Sequence, residues 1–428
     1  MSPTIIMIIV LVAAVLSVLI GQKTKINMGV IAFVFGAIIA IYICGFRYSE
    51  YYSFWPTKVM LQLLGISFFF GFYESTGTVN YIASHILYAI KGKVKFLPFV
   101  LLIISAGFGY LGISALAFNT LLLPIVVALC MSCNRHPVFL LLCYGTGIPI
   151  GMASPLGIAG VIGKGILSGV VGPEMAGSIM GRVYLNVAIW GVLTFLIVYL
   201  IFKGWKLEVK TEDIALMTEK PKKATRDQKI VLIITVIAVL FLIVPGLIGF
   251  QAFGNKGDIG FVYMAAGIIC ALFKLGDTRQ ILSKGIPWGI IILVGGFATL
   301  IAVATNSGVV EMLTNYLNSH VNDAVVGPLF TAICGIISIF SDAIGVVIPT
   351  FTPVAGGLAL AGAVSGSKIV TAVILGGMST ACAPLSTGGA QMIAYMPEKL
   401  GRTVFWSQMA VAFGGLILAI ILSFTPIF

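Results

Sequence analysis

Long apolar runs alternate with short polar punctuation along almost the whole chain. Stretches such as IIMIIVLVAAVLSVLI (Ile5–Ile20) and VLIITVIAVLFLIV (Val231–Val244) contain no charged residue. A helix that crosses a bilayer needs about 20 mostly apolar residues, so each long run predicts a crossing. In the first half the pattern predicts spans near Ile5–Ile20, Met28–Gly45 and Val59–Tyr73, then an amphipathic arm near Val79–Ile90. Two shorter apolar legs follow, Phe96–Tyr110 and Leu116–Cys130, joined at LGIS. Each leg has about 15 residues, or roughly 22 Å at helical rise, short of the roughly 30 Å hydrocarbon core. They read as a re-entrant hairpin over residues 96–131. A broken span, Val138–Leu167, is interrupted at Pro149–Gly160, and Tyr184–Phe202 closes the half.

The same punctuation recurs. ASPLGIAG (Ala153–Gly160) resembles CAPLSTGG (Cys382–Gly389), with Pro155 and Pro384 229 positions apart. STGTVNYIASHI (Ser75–Ile86) resembles NSGVVEMLTNYL (Asn306–Leu317), with Gly77 and Gly308 231 apart. ISALAFNTLLLPIVVAL (Ile113–Leu129), which carries Asn119, resembles FSDAIGVVIPTFTPVAGGL (Phe340–Leu358). Similarity at a nearly fixed offset is the mark of an internal repeat. The second half then also holds five spans and a hairpin, over residues 322–364. The chain divides into repeats 1–203 and 228–428, joined by a polar linker, 204–227. Five spans is an odd number, so the second repeat lies inverted against the first, a plan that recurs in secondary transporters. The expected fold is an all-α polytopic membrane protein: ten transmembrane helices plus two re-entrant hairpins in two inverted-topology repeats.

Composition and charge sharpen this. The chain is 59% apolar and 9% charged, with a mean hydropathy of +1.12; soluble domains carry about a quarter charged residues. Its net charge of +11 reflects basic cytoplasmic loops and does not imply nucleic acid. With the N-terminus outside, 19 of the 25 lysines and arginines fall on the inner side, eight of them between Lys203 and Lys229. The expected placement is the inner (cytoplasmic) membrane, multi-pass, with both termini outside. No Lys or Arg precedes the first apolar run and no A-x-A site follows it, so Met1–Gly21 reads as the first membrane helix, not a signal peptide. The seven cysteines, an odd number mostly within apolar runs, read as buried free thiols.

In lipid, irregular backbone is tolerated only where protein or a water-filled cavity surrounds it. Two Pro- and Gly-rich breaks at mid-depth therefore mark a cavity. Helix N-termini at a break suit an anion, and free carbonyls at C-terminal ends suit Na⁺. Each half is expected to contribute one wall of a single site: Ser154, Pro155 and Gly157 from the first break, Pro384, Ser386, Thr387 and Gly388 from the second. Asp342, in IFSDAIGVV at the second hairpin turn, is the sharpest single residue, because an acid inside a membrane is costly and usually functional. It either serves a cation or proton, or caps the following leg. Glu74 reads as a site acid or an interfacial carboxylate, and Lys164 as an anion attractor or an outward-snorkelling side chain. His85, His136 and His320 have no partner spacing. No G-x-x-x-x-G-K-[ST], H-E-x-x-H or G-x-S-x-G motif occurs, so ATP hydrolysis and these catalytic chemistries have no motif to stand on.

At these residues the chain resembles the ion transporter superfamily, which includes divalent anion/Na⁺ symporters and malonate/dicarboxylate carriers of MatC type. The resemblance covers nearly the whole chain and is closest to the MatC type at NSGVV, SALAFNTLLLPI and SPLGIAGVIGKGI. In the divalent anion symporters each hairpin tip carries Ser-Asn-Thr about ten residues before a Pro. Here Ser114-Ala115-Leu116 and Ser341-Asp342-Ala343 fall on the tips; the serines match, the Asn and Thr do not. The breaks there read Ser/Thr-Pro-Pro-Asn; only the first Pro is shared by Ser154-Pro155-Leu156-Gly157 and Ala383-Pro384-Leu385-Ser386. The resemblance implies a cation-coupled carrier of a small carboxylate and a homodimer. It makes Ser114, Ala115, Asn119 and Ser341 substrate candidates beside the break residues, and Ser114, Ala153, Ser341, Asp342 and Ala383 Na⁺ candidates. The expected function is secondary transport of a di- or monocarboxylate coupled to Na⁺ or H⁺, with no cofactor. The alternatives are a cation/proton antiporter of the same superfamily, and a membrane-embedded enzyme or scaffold.

Overall fold

The computed structural model describes residues 2–89, 93–208, 220–247, 258–309, 312, 323–339, 342–360, 362 and 364–425. Every regular element among them is helical. The first half holds α1 (Pro3–Thr24), α2 (Met28–Ile38), α3 (Tyr48–Ser53), α4 (Thr57–Ser75), α5 (Thr78–Ala89), α6 (Leu97–Tyr110), α7 (Ala115–Ser132), α8 (Phe139–Met152), α9 (Ile158–Val171) and α10 (Pro173–Ile201). The second holds α11 (Arg226–Leu247), α12 (Ile259–Leu272), α13 (Trp288–Thr305), α14 (Asp323–Ile339), α15 (Ile348–Leu360, entered through a π-turn at Ala343–Val347), α16 (Gly366–Ser379), α17 (Thr387–Ala394) and α18 (Gly401–Ser423).

Four helical stretches among the described residues are long and apolar enough to cross a membrane: Pro3–Gly21, Pro173–Ile201, Ala343–Leu360 and Gly401–Ser423. Together with the composition they make this a membrane protein. Three of them are 33–39% buried within the protein, as lipid-facing helices are, whereas Ala343–Leu360 is 78% buried. It belongs to the predicted second hairpin. In the first hairpin α6 has 14 residues, close to the expected leg, while α7 has 18, longer than expected; α14 in the second has 17. Length alone therefore does not set these legs apart from spans; burial among other helices does for Ala343–Leu360. The arm α5 leaves α4 at 69°, turning at Gly77, whose φ of +67° only glycine adopts without strain. Gly308, at the matching place after α13, has φ +80°.

Helix packing repeats in the same reciprocal way. α4 packs on α12 and α2 on α13, while α6 packs on α8 and α14 on α16. The two crossings between halves are glycine contacts. A Cβ on Gly65 would stand 2.0 Å from the Gly260 carbonyl oxygen, and one on Gly296 1.8 Å from that of Gly29. Gly29 and Gly260 are 231 positions apart, as are Gly65 and Gly296, so each contact is the other with its partners exchanged. Small residues let membrane helices approach this closely, which is where their packing attraction comes from. α1, α2, α3 and α13 share a core of their own around Ile6, Ala32, Tyr51 and Phe297. Tyr51 is locked there by donating its hydroxyl to the Phe33 carbonyl. Most of the remaining helices share a second, larger core.

Two elements lie beyond the expected pattern. α10 starts at Pro173, eleven residues before the expected Tyr184, because Gly172 (φ +86°) turns the chain and Pro173 opens the next helix. α3 is a short surface helix held by Arg47 and Glu50: the Arg47 backbone N–H donates to the Glu50 carboxylate at 2.7 Å. Its six residues are too few and too polar to register as an apolar period.

Candidate functional site

Each break folds as the same turn. Gly157 N–H donates to the Ser154 carbonyl at 3.0 Å, and Ser386 N–H to the Ala383 carbonyl at 2.9 Å, 229 positions later. Three residues further along each chain a glycine is compulsory. A Cβ on Gly160 would lie 1.9 Å from the Ser154 carbonyl oxygen, and one on Gly389 1.9 Å from that of Ala383. The turns end α8 and α16 and begin α9 and α17.

These two breaks and the two hairpin turns meet at one cavity of about 760 Å³, counting the part open to solvent. Ser114, Ala115 and Asn119 line it from α7, and Asp342 to Ile344 from the π-turn before α15. Pro149, Met152 and Ile158 line it from the first break; Ala381, Cys382, Ser386 and Gly388 from the second. Four helix N-termini thus point at one space: those of α7, α9, the π-turn leading to α15, and α17. Each carries roughly half a positive elementary charge. The two from the first half have no side-chain cap at their N-cap residues, Ser114 and Gly157. The two from the second half are capped: Asp342 accepts from Gly345 N–H at 2.6 Å, and Ser386 from Gly389 N–H at 3.2 Å. Among the described residues no Lys, Arg or His lines the cavity, and Asp342 is its one carboxylate. The rest of the wall is largely apolar, including Ile148, Met378 and Met392. Such a chamber suits a small organic anion: N–H groups for the charge, hydrocarbon for the body.

The structure does not bring every expected residue to this wall. Ser154 is fully buried beneath it. Its hydroxyl donates to the Tyr110 carbonyl at 3.2 Å and accepts from Gly157 N–H at 2.9 Å. It holds the turn together instead of facing the cavity. Ala153, Ala383 and Pro384 are buried within the turns, Pro155 is exposed, and Gly157 caps α9 just outside the lining. The reason is shared: the residues at the turn itself pack against their own helices or face away, while those just before it (Met152; Ala381 and Cys382) and the start of the following helix reach the chamber. Ser341 lies outside the described residues; Thr387 opens α17. Lys164 and Glu74 are exposed and away from the lining. His85 packs on Tyr81 within the arm, 4.1 Å between ring centroids, and His136 accepts from the Val138 N–H.

A polar network behind the cavity escapes sequence reasoning. Tyr144 on α8 donates its hydroxyl to Asn119 Oδ1 at 2.6 Å. Asn119 Nδ2 donates to Gln391 Oε1 on α17 at 3.2 Å, and Gln391 Nε2 to the Leu116 carbonyl at 3.1 Å. It ties the first hairpin to the second break across 272 positions. The only sequence signal was a lone amide inside each apolar run.

The first 151 of the 428 residues match the family model described as the dicarboxylate carrier protein MatC N-terminus. The matched stretch includes SALAFNTLLLPI, the MatC-like segment of α7. No curated protein matches the chain. Among solved structures, the chain is similar to YdaH of Alcanivorax borkumensis, a transporter whose structure is described as having an unusual topology. The TM-score is 0.60 at 14% identity, over 96% of this chain and 97% of that one. It is also similar to MtrF of Neisseria gonorrhoeae, described within a class of antimetabolite efflux pumps, with TM-score 0.54 at 14% identity over 88% and 82%. The chain therefore shares their fold. The family match supports the carboxylate-carrier side of the resemblance and does not single out the divalent anion symporters.

Proposed function

We propose that this protein is a secondary active transporter of a small organic anion, a di- or monocarboxylate, coupled to Na⁺ or H⁺ and working by alternating access. The observation that carries the reading is the convergence of four helix N-termini, two from each half, on one chamber with no basic side chain among the described residues. The MatC match over the N-terminal third and the likeness to transporter folds support it. In this reading Ser114, Asn119, Ser386, Thr387 and Gly388 contact substrate, and Asp342, with carbonyls at the hairpin turns and breaks, serves the coupling ion. The ten spans lie in two inverted repeats with both termini outside, the linker in the cytoplasm and two copies forming a dimer. The hairpins and breaks move as a unit against the core of α1, α2 and α13 and their counterparts.

The test is uptake of labelled dicarboxylates and monocarboxylates into proteoliposomes with no gradient, an inward Na⁺ gradient, or a proton gradient. Concentrative uptake under one ion gradient is expected. A second reading, cation/proton antiport, is favoured by Asp342 being the cavity's one carboxylate among the described residues; Na⁺ movement driven by a proton gradient without any carboxylate would select it. No transport of either kind would leave the enzyme and scaffold alternatives. Labelling of Lys222→Cys from the inner side only is the outcome the topology requires.

A further inference from the structure

The described end of the linker, residues 220–227, lies against the helices. Gln228, in the first turn of α11, donates its side-chain amide to the Thr76 carbonyl at 3.1 Å, next to the bend between α4 and α5. Its carbonyl accepts from Thr225 N–H at 3.0 Å, while the Thr225 hydroxyl accepts from Gln228 N–H at 3.2 Å. This reciprocal cap presses the last linker residues onto the arm. Between linker, arm and hairpin runs a crevice of about 1530 Å³, counting the part open to solvent. Its rim is Lys220, Lys222 and Lys223, all exposed, with Asn80, Tyr81 and Ser84 of α5. Its floor is one stripe of α7: Pro124, Ile125, Ala128 and Leu129. No Asp or Glu lines it among the described residues; Glu74 and Asp227 stand nearby in sequence but outside the lining. The same face is basic more widely. The turn at Val94–Phe96 packs on that at Gly204–Lys206, and the Arg135 guanidinium donates to the Lys206 carbonyl at 2.7 Å. Lys93, Lys95, Arg135, Lys203 and Lys206 therefore gather where α10 ends and the linker begins.

We propose that this crevice binds one anionic phospholipid, its phosphate held by Lys220, Lys222 and Lys223 and an acyl chain laid along Ile125, Ala128 and Leu129. The two-part chemistry decides the occupant. A soluble anion would leave the apolar floor in water, and a zwitterionic lipid would leave the three ammonium groups without net countercharge. Basic segments at the ends of membrane helices attract anionic lipid, and here the basic segment is folded over an apolar groove at the membrane face. The floor belongs to the hairpin and the rim to the linker and arm, so the lipid joins the two.

The test is a fluorescence-anisotropy titration of the full-length, delipidated protein in neutral detergent. The probes are labelled short-chain phosphatidylglycerol and the matching phosphatidylcholine. Phosphatidylglycerol is expected to bind tighter. A K220Q/K222Q/K223Q variant should lose that affinity on the order of tenfold or more, with the difference shrinking as salt rises. Ala128→Leu, which narrows the floor and leaves the charges, should weaken phosphatidylglycerol binding without changing its salt dependence. Equal affinity for both lipids, an unchanged triple variant or an unaffected Ala128→Leu variant overturns the proposal. Displacement of phosphatidylglycerol by glycerol phosphate as readily as by unlabelled lipid also overturns it, and leaves a soluble-anion site instead. Both variants must elute as wild type does on size exclusion; if the triple variant does not, single Lys→Gln variants replace it, and three unchanged singles overturn the proposal.

Discussion

Removing one hydroxyl behind the cavity tests whether the two halves are energetically joined there. Tyr144 is fully buried and Asn119 nearly so. The Tyr144 hydroxyl is the donor given to Asn119 Oδ1, at 2.6 Å, and the Tyr144 carbonyl is itself held by the Ser105 hydroxyl at 2.7 Å. Tyr144→Phe keeps the ring against Phe118 and deletes only the donor. The abandoned carbonyl costs about 1–3 kcal/mol if the amide stays in place. If the amide rotates to find another donor, it gives up Gln391 Oε1 at 3.2 Å, and the loss passes to α17. Either path makes the effect of Tyr144→Phe depend on Gln391. The assay is a double-mutant cycle of Tyr144→Phe and Gln391→Leu, read as the apparent KM for the best carboxylate in proteoliposome uptake and as thermal stability in detergent. A coupling energy of at least about 0.5 kcal/mol is expected, as for residues in one network. Additivity within about 0.3 kcal/mol in both readouts would refute the network as an energetic link between hairpin and break.

Gly160→Ala and Gly389→Ala should each abolish uptake or prevent folding, because their Cβ atoms would lie 1.9 Å from a backbone carbonyl, while Gly181→Ala, with open space around it, should behave as wild type; equal tolerance of all three would show the turns are not built as described. Asp342→Asn can still accept from Gly345 N–H and should fold, yet weaken the coupling-ion dependence roughly ten- to a hundredfold, the scale of hydrogen bonds to charged groups; unchanged ion dependence would make Asp342 a cap only. Gln62→Leu removes the donor to Asp258 Oδ2 at 2.7 Å, outside the cavity, and should lower thermal stability while leaving the uptake KM in place; a raised KM would break the separation between scaffold and chamber.

The breaks were legible because proline and glycine punctuate backbone locally, and the turn at Ser154 and its copy at Ala383 need nothing beyond their own neighbours. Asp342 was legible because a charge inside an apolar run is conspicuous. The inward packing of Ser154 was not, since a hydroxyl beside a break has the same sequence signature whether it faces a cavity or the Tyr110 carbonyl. Helix ends shifted where a single Gly-Pro pair, Gly172-Pro173, outweighed hydropathy. The crossings at Gly65–Gly260 and Gly29–Gly296 carried a readable signal, the 231-residue spacing of their glycines, but single glycines among 50 do not stand out until the contacts pair them. The Tyr144–Asn119–Gln391 chain had no such spacing, and only the fold brings those residues together.

The two breaks fold as the same turn and differ in chemistry. In the first break a serine sits at Ser154, before the proline, and its hydroxyl is used up on Gly157 N–H and the Tyr110 carbonyl. The helix that follows starts at Gly157 with no side chain to offset its positive end. In the second break the serine sits two residues after the proline, at Ser386, where it caps α17 itself. The hairpins differ in the same sense: Ser114 leaves the start of α7 without a side-chain cap, whereas Asp342 brings both a cap and a carboxyl group. When ionised, a capping carboxylate opposes an anion and favours a cation on that side. Under the transport reading the two walls are therefore not interchangeable. In that reading the substrate's carboxylate sits against the first-half helix starts at Ser114 and Ile158 while its body reaches Ser386 and Gly388, and the coupling ion sits beside Asp342. Serine placement relative to one proline, together with an acid, Asp342, at the second hairpin turn where the first carries none, polarises a chamber whose two breaks fold as the same turn.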